Sequence, residues 1–199
     1  MKETLLAILK IVGFLLVLPL IIAFCIAFQS QILSLPVNKE VWVLWGAGVY
    51  IALNLFVYDF KNVYEFGKTT VEKILPFLKP AGYIVPVYSV FIIIIYVIAL
   101  LLGRGTAFQS YFLFAIAFTI TMHLVLTAHV IYESDSSLLK AHYLVTFGSI
   151  LIVSLFVISL LLAWAIPEYS FIGFVKSLSS HTAHLYKNLY RLIFVDSSV

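Results

Sequence analysis

The sequence predicts an all-α integral membrane protein: about five transmembrane helices and two amphipathic interfacial helices in one membrane domain, residues 1–199. Three observations predict it. Hydrophobic residues make up 63% of the chain and charged residues 11%, where a soluble domain has about 45–50% and about 25%. The mean hydropathy is +1.12, which suits lipid rather than water. The apolar residues also fall in runs long enough to cross a hydrocarbon layer of about 30 Å at about 1.5 Å per residue.

The first run extends over 5–28, interrupted only by Lys10. It exceeds the core of a secretory signal, about 7–15 residues, and 23–27 is a poor cleavage site. It therefore reads as a retained span, with Lys10 snorkelling to the headgroups and Pro19 as a kink point. After a polar loop with Pro36, residues 41–58 form the second span. Trp42 and Trp45 near one end and Tyr58 at the other suit the two interfaces.

Residues 60–79 make up nearly all of the longest polar stretch, with Lys61, Glu65, Lys68, Glu72 and Lys73 among its charges. Apolar Val63, Phe66, Val71, Ile74, Leu75 and Leu78 recur at helical steps. This pattern predicts an amphipathic helix on the membrane surface, broken at Gly67 and Pro76. The third, fourth and fifth spans are expected at 83–102, 108–132 and 143–166, the last ended by Pro167. Residues 170–195 repeat the amphipathic pattern, with Lys176, His181, His184, Lys187 and Arg191 on the polar side.

The net charge of +3 is small and dispersed, so nucleic acid is not an expected partner. Cys25 is the sole cysteine, which excludes an intramolecular disulfide. The expected partners are membrane lipids and other integral membrane proteins. Lys and Arg near the span ends number seven on the amino-terminal side and five on the other. That favours a cytoplasmic amino terminus and, with five spans, an external carboxy terminus. The basic carboxy-terminal helix favours cytoplasmic anionic lipid instead.

Ionisable groups within an apolar span mark functional candidates. His123 and His129 lie six residues apart, roughly 240° around the helix at about 100° per residue, so they do not share a face. His129 and His142 fall at adjacent ends of neighbouring spans, with Glu133 and Asp135 between them. His129, Glu133, Asp135 and His142 are therefore the candidate metal or haem ligands, zinc being the metal considered; the alternative is that each group bonds a carbonyl or the headgroup layer. His181 and His184, at i and i+3, form a second candidate pair whose alternative is a solvated helix face. Asn54, Thr119, Thr121 and Thr127 are expected to tie helices together.

Three stretches carry a family resemblance: residues 45–71, residues 81–89 (AGYIVPVYS) and residues 123–129 (HLVLTAH). Across about 41–160 the chain resembles small bacterial membrane proteins related to site-2-type zinc metallopeptidases. In that family Phe-Gly precedes His-Glu-x-x-His. Here Phe66-Gly67 is followed by Lys68, Thr69, Thr70, Val71 and Glu72. The resemblance places Lys68 and Glu72 at the two zinc-ligand positions and Thr69 at that of the general base. A lysine cation is no zinc ligand, and a threonine does not take a proton from zinc-bound water as a carboxylate does. The resemblance thus implies a degenerate, catalytically silent relative in a bacterial inner membrane.

The expected function is a non-catalytic membrane subunit or scaffold without a cofactor. The alternatives are a metal- or haem-binding anchor or enzyme at His129 and His142, and a transporter or channel subunit. Few mid-span charges and no evident broken-helix pair count against the last.

Overall fold

The computed structural model describes residues 2–77, 81–134 and 141–194. Among them the regular structure is helical: α1 (Lys2–Leu33), α2 (Val37–Phe56), α3 (Lys61–Ile74), α4 (Ala81–Ile84), α5 (Val87–Leu101), α6 (Gly105–Ser134), α7 (Ala141–Ala165) and α8 (Phe171–Phe194). Three stretches are long and apolar enough to cross a membrane: Thr4–Leu33, Ala107–Ser134 and Tyr143–Trp164. They become four if α2 and α3, bent by 118°, are counted as one broken span.

Apolar side chains set the order of packing. Helix α2 runs alongside α6 in the same direction: Trp42 meets Tyr111, and Tyr50 meets Phe118. The approach is close at Gly46, where an added Cβ would collide with the Phe114 carbonyl. Helix α5 lies antiparallel to α6, with Tyr96 against Phe112 and Ser89 bonded to Thr119. Ile93, Ile116, Ile158 and Leu162 join α5, α6 and α7 in the largest buried cluster. Helix α1 joins that cluster through Ile32, and Phe24 and Ala27 pack with Leu155 of α7 and Phe174 of α8.

Three expectations need correction. First, the run at 83–102 is not one helix. Pro86 lacks the N–H that a continuous helix needs, so α4 ends at Ile84 and α5 starts at Val87. The 15 residues of α5 span about 22 Å, short of a full crossing. Second, Gly67 does not break the amphipathic helix. It lies inside α3, where an added Cβ would sit 2.7 Å from both Tyr88 and Val87, so glycine lets α3 press on the start of α5. Third, α8 is not laid across the end of the bundle. Gly173 faces Gln31, Phe174 faces Phe24, and the Tyr186 hydroxyl donates to the Leu16 carbonyl at 2.8 Å. Rising numbers in α8 thus meet falling numbers in α1, and α8 runs back along the first span. Its apolar face covers α1 because Phe171, Phe174 and Leu178 match the small and aromatic residues there.

At the opposite end from α3, Lys39 in the first turn of α2 pairs with Glu168 in the α7–α8 loop at 2.6 Å. The Lys39 hydrogen bond is the main reason that the Glu168 carboxyl is held below the usual carboxylate range.

Candidate functional site

The densest polar cluster forms where α3 and α4 meet α5, α6 and α7. The break before Pro86 explains its position. In a continuous helix the carbonyls of Tyr83 and Ile84 would accept from the N–H groups four residues on. Here side chains from other helices reach them. His123 Nε2 lies 3.0 Å from the Tyr83 carbonyl oxygen, and the Ser154 hydroxyl donates to the Ile84 carbonyl at 3.2 Å. A carbonyl only accepts, so the His123 proton sits on Nε2. Irregular backbone at span depth is tolerated where protein groups satisfy it, and here α6 and α7 supply them.

Helix α3 closes the cluster from outside. The hydroxyls of Tyr64 and Thr127 are hydrogen-bonded at 2.8 Å, and both residues are buried. Tyr88 donates its hydroxyl to the Val63 carbonyl at 2.5 Å. Lys68 Nζ stands 4.5 Å from the centre of the Tyr83 ring and 3.7 Å from Glu65. Glycine at 82 makes room: an added Cβ would lie 2.7 Å from the Lys68 side chain and 3.1 Å from a Glu72 carboxylate oxygen.

Lys68 and Glu72, one helical turn apart, therefore face α4, in the same cluster as His123. Thr69 is exposed and points elsewhere. Lys68 and His123 line the same void, but it holds only about 10 Å³. That is the space of about one water, so the cluster is filled by its own side chains.

The other candidate ligands are separate. His129 Nε2 lies 3.2 Å from Glu133, whose second oxygen lies 3.3 Å from Lys61 Nζ. Glu133 thus serves an α3–α6 tie. Asp135 lies outside the described residues, and only the backbone of His142, at the start of α7, is described. Among the described residues no three His, Cys, Asp or Glu side chains gather in a way that would hold a metal ion. His184 approaches the side-chain amide of Asn188 on its own helix.

Two of the four expected tying residues join helices: Thr119 reaches Ser89, and Thr127 reaches Tyr64. Thr121 bonds the Ala117 carbonyl, and Asn54 accepts from Tyr50, each within its own helix. Tyr64, Tyr83 and Ser154 went unnoticed in sequence. Pro86 inside an apolar run was the available signal, because it marks carbonyls that must find other partners.

No family model, curated protein or solved structure matches this chain.

Proposed function

We propose that this protein is a non-catalytic integral membrane subunit that packs against other membrane proteins through α8. One observation carries the reading. Lys176, Ser180, His184, Lys187 and Arg191 are all exposed and fall within about 80° of one another at about 100° per residue. They form a stripe opposite the face that packs on α1. Positions 173–186 of α8 lie beside positions 16–31 of α1, inside the most apolar span candidate. Lys176 and His184 lie at that depth, where ionisable groups facing lipid are costly and turn to protein or water instead, and Lys187 and Arg191 continue the stripe toward the amino-terminal end of α1. Helix α8 carries no acidic residue, and among the described residues no ion pair engages its cations. A membrane partner offering carboxylates or hydrogen-bond acceptors satisfies them.

In this reading α1, α2, α5, α6 and α7 make five apolar passes, α5 completing its pass together with the α4 turn before Pro86, and α8 returns along α1. The return moves Lys187 and Arg191 to the amino-terminal side. Seven basic residues against five become nine against three. This supports an amino terminus in the cytoplasm, and a carboxy terminus there too. The localisation proposed is a bacterial inner membrane. Lys68, Thr69 and Glu72 are the remnant of a site-2-type zinc motif, in which Lys68 and Glu72 hold α3 against α4 rather than cleave peptides.

The test places a photo-crosslinking residue at 180 and, in a second variant, also replaces Lys176, His184 and Lys187 with leucine. Crosslinks from α8 to another membrane protein, lost on leucine replacement, are expected. Crosslinks to lipid alone, with a leucine variant that purifies with unchanged partners, would overturn the reading. Stoichiometric zinc or a Soret band in the purified protein would replace it with the metal- or haem-binding alternative.

A further inference from the structure

A cavity of about 290 Å³ lies between the α1–α7 pair and the α2–α6 pair. Ile116, Leu155 and Leu162 line it and are each at most 4% exposed, so the cleft reaches inward from the surface between the helices. Cys25, on α1, lines it and is exposed, which marks the opening toward lipid. Thr121 supplies the one hydroxyl in the lining, and that hydroxyl already donates to the Ala117 carbonyl.

We propose that this cleft is a binding site for one acyl chain of a membrane phospholipid. Polarity excludes water as the occupant, because a buried water needs two to four polar partners and the wall presents almost none. The volume is many times the roughly 10–15 Å³ that one water-sized group needs. Interiors pack with few voids larger than a water, so a cleft this large among well-packed neighbours calls for a filling group. The surrounding solvent of α1, α6 and α7 is hydrocarbon, and a hydrocarbon chain enters past Cys25 without losing a hydrogen bond.

The test uses phosphatidylcholine vesicles doped with a phosphatidylcholine bearing a diazirine near the end of one acyl chain. After illumination of the full-length protein, adducts are expected at Ile116, Leu155 and Leu162 as well as at outward-facing Leu160. Ala47→Phe and Cys25→Phe fill the cleft from two different helices. Each should reduce the inner adducts at least five-fold and leave the Leu160 adduct unchanged. Adducts confined to outward positions in the unaltered protein would overturn the proposal. So would inner adducts that persist in both variants, or efficient bismaleimide joining of two copies through Cys25, which would put protein in the opening.

Discussion

His123 Nε2 lies 3.0 Å from the backbone carbonyl oxygen of Tyr83, forty residues earlier in the chain. One bond thus joins the middle of α6 to the break between α4 and α5. His123 is 5% exposed, so its removal leaves a buried carbonyl without a partner. His123→Phe is expected to destabilise the protein by roughly 1–3 kcal/mol, and Ser154→Ala to add a smaller loss at Ile84. Chemical unfolding in one detergent measures both. An unchanged midpoint for His123→Phe would show that the carbonyl is satisfied some other way.

Glycine positions separate into two groups. Gly46→Ala drives a methyl into the Phe114 carbonyl, and Gly67→Ala drives one into Val87 and Tyr88. Each should cost roughly 1–3 kcal/mol through overpacking. Gly13 and Gly48 have no such neighbours within 4 Å. Alanine there is expected to be neutral or to stabilise by about 0.5–1 kcal/mol through helix preference. Thermal unfolding of the four variants side by side checks the order.

The Lys39–Glu168 pair gives a pH signature. The folded Glu168 carboxyl is depressed, chiefly by the Lys39 hydrogen bond. Its contribution is therefore complete above the unfolded value of about 4.3 and fades as pH falls through the lower folded value. The Glu168 side chain is 42% exposed, so solvent screening keeps the contribution under about 1 kcal/mol. A pH series of unfolding midpoints should lose slope below pH ~4.5 in Glu168→Gln. Parallel curves for the two proteins would show that the pair is not populated.

Lys68, Thr69 and Glu72 changed together to alanine should leave the protein folded and its partners bound. The main loss is the contact between Lys68 and the Tyr83 ring, about 0.5–1 kcal/mol. Assembly in mild detergent and a peptidase assay on the same preparation read the outcome. A peptidase activity that the unaltered protein has and this folded variant lacks would restore a catalytic role to the motif.

The sequence by itself determined what local pattern and composition control. Apolar runs of membrane length specify α1, α6 and α7, because lipid leaves a chain little choice but to satisfy its backbone within a helix. The step pattern of Val63, Phe66, Val71 and Ile74 specifies an amphipathic α3. The same pattern requires that α8 cover an apolar surface, but it does not say which one. Tertiary structure chose α1, through contacts such as Tyr186 with Leu16, 170 residues apart. Helical periodicity holds no information about such a partner. Pro86 signals a break in the third span, yet only packing decides that the freed carbonyls are met by His123 and Ser154. Likewise, spacing put Glu133 beside His129, whereas the bend after α2 brought Lys61 to it, a contact between helices that spacing does not contain.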